Sequence, residues 1–245
     1  MIKSEKYIVG TSKTEAYTAL YNMTPQDDVY MHMRLSGTLC DVANDIYFVT
    51  HENGVGYSRI WMCYGKHEGA VSNWGAVYTP DEYRGKGYCG MTLDYCFDEI
   101  KKMENPPLAL FCMAGDIARV YKRYGFVPAL RGAVQGPLYM PLGNSPKTFA
   151  EFCEQYYTKT DELVVVDADF GHRNEVDCLL RFALMDIGES FGVCGEKDLY
   201  VLLMNKSNRA KIVLTKEGKT AGWMVDGVMQ LHPNYRDVKK ITVKS

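Results

Sequence analysis

Val77-Tyr78-Thr79-Pro80-Asp81-Glu82-Tyr83-Arg84-Gly85-Lys86-Gly87-Tyr88-Cys89-Gly90 is the stretch whose reading decides the fold. A β-branched and aromatic run breaks at a proline, and a polar loop punctuated by glycine follows. Cys89, Leu93, Cys96, Phe97 and Ile100 then recur at the 3.6-residue period of a helix, with Asp94, Asp98, Lys101 and Lys102 on the opposite face. A strand feeding a helix through such a loop aims several unpaired backbone N–H groups at one point. The helix dipole adds about half a positive charge there. Glycines at 85, 87 and 90 let an anion approach the backbone closely, and Arg84 and Lys86 bring formal charge. A phosphate or pyrophosphate is the natural ligand.

Working outward, Asn105-Pro106-Pro107 stops the helix, and the apolar run 108–113 reads as a strand buried on both faces. Asp116 is a candidate N-cap for a short helix over 117–124, and Gly125 fits the position that ends it. Phe126-Val127 starts another strand. Upstream, 15–22 is helix-compatible, while 45–50, 55–64 and 70–78 read as strands, the first two joined by an Asn53-Gly54 turn. An antiparallel meander joined to a βαβ unit predicts an α/β or α+β fold.

Gly143-Asn144-Ser145-Pro146 is the expected domain boundary, dividing the chain into 1–143 and a smaller α+β domain, 144–245. Beyond it, 163–166 reads as a strand. Val176, Leu180, Ala183 and Ile187 mark an amphipathic helix, and 211–215 with 221–225 form a hairpin around Glu217-Gly218. Two echoes link the halves. Val49-Thr50-His51-Glu52-Asn53-Gly54 returns as Leu214-Thr215-Lys216-Glu217-Gly218, and Pro80-Asp81-Glu82-Tyr83-Arg84 as Pro233-Asn234-Tyr235-Arg236. In the second copy Asp237-Val238-Lys239 replaces the glycine loop. The second half therefore reads as a partial repeat without the site, against chance similarity of β-rich segments.

The 245 residues suffice for a full core; 47% are hydrophobic and 24% charged. A net charge of −2 gives no basic footprint, so no nucleic-acid partner is expected. No apolar run approaches the roughly 20 residues of a membrane span, and Met1 to Tyr7 holds no signal-peptide core, so no membrane partner is expected either. None of the eight cysteines is spaced C-x-x-C, so no metal site is expected. The cysteines read as small buried hydrophobes in a reduced, cytoplasmic protein.

Three kinds of phosphate loop must be separated. A Walker A loop needs Gly-Lys-Ser/Thr at its end, and here Gly90 is followed by Met91-Thr92. Residues 85–90 do match G-x-G-x-x-G, but a dinucleotide loop should follow a buried strand directly, and 79–84 is polar and broken by proline. An NAD-dependent enzyme is therefore the weaker reading. The third kind cradles the pyrophosphate of coenzyme A. From about 45 to 142 the chain resembles the GNAT superfamily of N-acetyltransferases. Residues 77–88 look like that family's strand leading into R-x-x-G-x-G/A, and Ala118-Arg119-Val120-Tyr121-Lys122-Arg123-Tyr124-Gly125-Phe126 looks like its Y-x-x-x-G-F segment.

The resemblance implies an acetyl-CoA-dependent N-acetyltransferase, moving the acetyl group directly from the thioester to a primary amine of a small molecule or peptide. By it, Val77, Tyr78 and Thr79 lie along the pantetheine arm, and an N–H near Val77 or Tyr78 faces the thioester carbonyl. Backbone amides across Arg84, Gly85, Lys86, Gly87, Tyr88, Cys89 and Gly90 hold the pyrophosphate, and Tyr121 sits near the sulfur. Cys89 stands where the family usually has Gly or Ala, and Ala114 where many members carry Asn. A non-catalytic acyl-CoA-binding module is the competing class, and self-association into a homodimer is left open.

Amide formation poses two proton problems. An amine of pKa about 10.4 must shed a proton, and a thiolate whose acid has pKa about 8.5 must gain one. Tyr121 is the expected acid. The base is not readable: Val71 stands where relatives carry Glu, and His67 and Glu68 are only nearby in sequence. Asp27, Asp28, Tyr30 and His32 are candidates for the acceptor side, against a plain solvated helix start.

Overall fold

The computed structural model describes residues 1–115, 117–192, 196–205 and 207–244, and side chains are not described at 196–198. Asp116, the expected N-cap, and Cys194 lie outside the described residues. The chain forms two compact units. The first comprises Met1–Cys63 and Trp74–Pro106, the second Tyr64–Asn73 and Pro107–Ser245.

The first unit opens with β1 (Lys3–Ile8), α1 (Glu15–Asn22) and α2 (Val29–Leu35). β2 (Ala43–Glu52) and β3 (Val55–Gly65) follow as a hairpin. Its turn residues Asn53 and Gly54 both have positive φ, 49° and 75°, the twist that two-residue hairpins require. β4 (Ser72–Tyr78), a 3₁₀ turn (Asp81–Tyr83) and α3 (Tyr88–Lys101) complete it. β1, β2, β3 and β4 lie in that order in the sheet. β1 pairs antiparallel with β2 from Lys3 opposite His51 to Ile8 opposite Ile46. The sequence reading has no strand here, because the charges of Lys-Ser-Glu-Lys mask the pattern; charged residues are what keeps an edge strand from pairing with other chains. α3 buries Leu93, Cys96, Phe97 and Ile100 as its period requires.

In the second unit β5 (Ala109–Ala114) pairs parallel with the start of β4, Ser72 opposite Leu110 and Asn73 opposite Phe111. The expected βαβ unit is thereby formed. β5 is buried except at Met113, which is 60% exposed, so this strand is not covered on both faces along its whole length. α4 (Ala118–Lys122) ends at Gly125, whose φ of +105° suits glycine. β6 is only Val127–Pro128, and it pairs antiparallel with β7 (Gly136–Pro141), which also pairs with β5. The expected boundary at 143/144 lies inside this unit. Phe111 and Tyr139 before it pack edge-on or tilted against Phe149 and Phe152 of α5 (Phe149–Tyr156) after it, with ring centroids 5.4–6.3 Å apart.

A second sheet follows from β8 (Glu162–Asp167). A π-helical stretch (Glu175–Leu180) runs into α6 (Arg181–Asp186), and α7 (Glu196–Met204) leads to β9 (Ala210–Thr215), β10 (Thr220–Val225), β11 (Val228–Leu231) and β12 (Lys240–Val243). The expected amphipathic helix over 176–187 is corrected on two counts. Residues 175–180 are π-helical and buried all round, and Ile187 is exposed. Burial of the acids is tolerated because Asp177 pairs with Arg173 at 2.9 Å and Arg181 at 3.3 Å.

The sheet order is β11-β10-β9-β8-β12. β8 to β11 repeat the sequence of elements β1 to β4: a strand, helices, a hairpin pairing back on it, and a further strand. β8 pairs antiparallel with β9 as β1 does with β2. The two proline echoes both form 3₁₀ turns, Asp81–Tyr83 and Pro233–Tyr235. After the second turn no glycine loop and no helix follow, and the chain enters β12, parallel to β8. All seven described cysteines are free. Among the described residues no helix is long and apolar enough to cross a membrane.

Candidate active site

The loop residues singled out by sequence come together in the first unit. β4 carries a feature the sequence reading misses: Ala76 has φ +46°, a left-handed residue that is not glycine inside a strand. Such a residue costs on the order of 1–2 kcal/mol and bends the strand there. The burial alternation slips at the same place, since Trp74 is buried and Ala76 and Tyr78 are exposed. The small pair Gly75-Ala76 within a strand pattern is the signal that points to it.

Past Tyr78, Thr79 donates through Oγ1 to Ser58 Oγ at 3.2 Å, and Arg84 Nε donates to Thr79 O at 3.2 Å. Arg84 also pairs with Asp81 at 2.8 Å. Gly85 and Gly87 sit at φ +74° and +84°, so each needs glycine for its conformation. Gly87 is the N-cap of α3, and it has no side chain with which to occupy the helix's first amides. The amides of Tyr88, Cys89 and Gly90 are therefore left to a ligand or solvent. Gly90 lies in the first turn of α3 without positive φ, and a Cβ built on it meets nothing within 4 Å. No protein neighbour explains why glycine stands there.

Three tyrosines fasten the loop. Tyr57 of β3 stacks on Tyr88 at 4.7 Å and meets Tyr83 edge-on at 4.7 Å. Lys86 Nζ lies 5.5 Å from the Tyr83 ring centre, which keeps its charge over the loop. Burial raises the Cys89 thiol above its ordinary pKa, with hydrogen bonds to Ser58 and Thr79 opposing. A raised, neutral thiol suits packing rather than nucleophilic attack.

Searches of family models and of curated proteins find no match. Solved structures do match. An acyl-CoA N-acyltransferase from Pseudomonas aeruginosa is 14% identical over 58% of this chain and 100% of its own, at a TM-score of 0.44. A GNAT family N-acetyltransferase from Escherichia coli, in complex with CoA, is 14% identical over 59% and 84%, at 0.41. An acetyltransferase from Clostridium acetobutylicum with acetyl-CoA is 18% identical over 55% and 95%, at 0.36. Several matching structures are thus described as GNAT-family or acyl-CoA acyltransferases. The chemistry of this site rests on its own residues.

The remaining candidate residues lie in other parts of the chain. Tyr121, on α4 of the second unit, is 4% exposed with its ring 6.0 Å from Phe126. His67 also belongs to the second unit, where its Nε2 lies 3.7 Å from Glu175 Oε2 and its ring stacks on His172 at 4.3 Å. Burial lowers the imidazolium pKa, but the nearby Glu175 carboxylate, helped by the Glu68 and Gly171 carbonyls, outweighs it and raises it to about 9. His67 is then protonated at neutral pH and is no ready base. Glu68 is exposed. On the acceptor side, Asp28 caps α2 by accepting from Met31 N at 2.9 Å, so the helix-start reading holds for it. Asp27 and Tyr30 are exposed, and His32 lies 3.0 Å from Pro25 O and lines a cavity at the α1–α2 link.

Proposed function

We propose that the protein is an acetyl-CoA-dependent acyltransferase that transfers an acetyl group directly to a primary amine. One observation carries this reading. β4, with left-handed Ala76 inside it, leads through a 3₁₀ turn to two left-handed glycines, and the helix that follows has an uncapped first turn with open space over Gly90. The donor set fits a pyrophosphate: main-chain amides of Tyr88, Cys89 and Gly90, with Arg84 and Lys86 as exposed cations. Val77, Tyr78 and Thr79, past the Ala76 bend, would present the main chain to the pantetheine arm. Tyr121 would hand its proton to the departing thiolate, help typically worth about 10²–10⁴-fold. With no base at Val71, the amine's proton would pass to solvent water, and orientation of the two reactants would lower the rest of the barrier.

Calorimetry with acetyl-CoA, CoA and NAD tests the reading. Binding of the first two and not the third supports it, and no binding of acetyl-CoA ends it. The second reading is a non-catalytic acyl-CoA-binding module, favoured by Val71 at the position of the relatives' Glu. Thiol release from acetyl-CoA in the presence of a panel of amines separates the two.

A further inference from the structure

The first unit buries two arginines, and only one of them is matched. Arg34 pairs with Asp45, whose Oδ1 also accepts from Trp61 Nε1 at 2.8 Å, and its guanidinium lies 3.6 Å from the Trp61 ring centre. Arg59 on β3 is equally buried, at 7% exposure. Its Nη1 donates to Thr24 Oγ1 at 2.9 Å, and its guanidinium lies 5.2 Å from the centre of the Tyr78 ring. Its Nε is buried without an acceptor, and among the described residues no carboxylate forms an ion pair with it. A buried cation without a counter-charge is strongly unfavourable unless something else supplies the anion.

Burial accordingly pulls the Arg59 pKa below its ordinary value, against the opposing electrostatic effects of Tyr47, Asp28 and Tyr78. Thr24, whose hydroxyl receives Arg59 and itself donates to Leu20 O at 2.9 Å, is also part of a cavity wall. With Tyr21, Asn22, Gln26 and His32 it lines a space of about 380 Å³, the size of a small-molecule site. That lining contains no carboxylate. Arg59 thus lies one side chain behind the cavity wall, and its guanidinium also meets the ring of Tyr78, the strand residue at the acetyl-group end of the proposed cofactor path.

Resting on the acetyl-transfer reading, we infer that the acceptor is a small amine that also carries a carboxylate, an amino acid or a close analogue. Arg59, with Thr24, is the specificity group that draws that carboxylate to the α1–α2 end. A guanidinium is always charged, and here its charge lies without a carboxylate partner one side chain behind the cavity wall. A neutral analogue leaves the buried charge uncompensated.

The test compares acceptors that differ only in the acid group: alanine against alaninamide, phenylalanine against phenylalaninamide, and 4-aminobutyrate against butylamine. Thiol release gives kcat/KM for each. The wild-type protein is expected to prefer the acid member by about tenfold or more, the discrimination a site built for a polar group provides. The amino amides have the less basic amines, so for those pairs this preference runs against intrinsic reactivity. Arg59→Met is expected to bring the acid-to-neutral ratio close to one, mainly through KM, while Arg59→Lys retains part of it. A thermal shift of the protein with CoA and alanine, absent with CoA and alaninamide, is the readout independent of turnover. Equal kcat/KM for acid and neutral members in the wild-type protein overturns the inference, as does an unchanged ratio in Arg59→Met. If Arg59→Met does not fold, the wild-type comparison alone decides. Acetyl-CoA titrated by calorimetry without acceptor keeps the two failures apart: binding without acid preference sinks only this inference, and no binding sinks the transfer reading beneath it.

Discussion

Glu175 Oε1 accepts the backbone N–H of Val71 at 2.6 Å, across 104 positions of the chain. The neighbouring Asn174 donates through Nδ2 to Val71 O at 3.2 Å. Both main-chain polar groups of one residue, immediately before β4, are thus satisfied by two consecutive side chains from the entry to the π-helical stretch. Glu175 is fully buried, so this pairing stands in for water that cannot reach Val71.

Removing that acceptor is expected to be costly. Glu175→Ala leaves a buried N–H without a partner, which costs about 1–3 kcal/mol, while Glu175→Gln keeps an oxygen in place and costs less. Urea unfolding of the two variants beside the wild-type protein measures the difference. Equal stability of Glu175→Ala and the wild type would mean that the pairing contributes nothing.

The same carboxylate sets a pH dependence through His67, whose pKa is raised from 6.5 to about 9 despite the opposing effect of burial. A base whose folded pKa lies above its unfolded value binds its proton more tightly when folded. Its stabilisation is therefore complete below the unfolded pKa of 6.5 and is lost as pH rises through about 9. The gap in melting temperature between the wild-type protein and His67→Gln is expected to be largest in mildly acidic buffer and to close on the alkaline side. A gap that is flat across this range, or widens with pH, contradicts the pairing.

Much of this architecture is legible in the sequence because local chemistry and fold agree. The Asn53-Gly54 turn, the α3 period and the Gly85–Gly87 loop each need particular residues for backbone reasons, and those residues are present. What is missed depends on partners far along the chain. β1 is stabilised by its ladder to β2 rather than by its own composition. The buried acids of 175–180 look like a solvated face until Arg173, Arg181 and Val71 are placed against them. Arg59 has a local signal, a charge followed by Ile60-Trp61-Met62-Cys63, but only the structure shows that no carboxylate among the described residues pairs with it.

Gly90 offers a test in which stability and binding move in opposite directions. It sits in the first turn of α3, and an added Cβ would touch no protein atom. Gly90→Ala is expected to stabilise the free protein by about 0.5–1 kcal/mol, because alanine is the better helix former. A pyrophosphate lying across the turn would meet the new methyl group, so acetyl-CoA affinity is expected to fall by about tenfold, about 1.4 kcal/mol. Thermal melts and calorimetry on the one variant read both effects. A more stable variant with undiminished affinity removes Gly90 from the proposed cradle.

Tyr121→Phe separates packing from proton transfer. The ring is 4% exposed beside Phe126, and phenylalanine keeps that contact while deleting the hydroxyl. If the hydroxyl protonates the departing thiolate, turnover is expected to fall by about 10²-fold or more, with acetyl-CoA affinity within about twofold of the wild type. The deficit should also shrink with an acyl donor whose leaving thiol is more acidic, because a better leaving group needs less help. Thiol release and calorimetry on the same preparation give the two numbers. Unchanged turnover would assign Tyr121 to packing alone and leave the leaving group to take its proton from water.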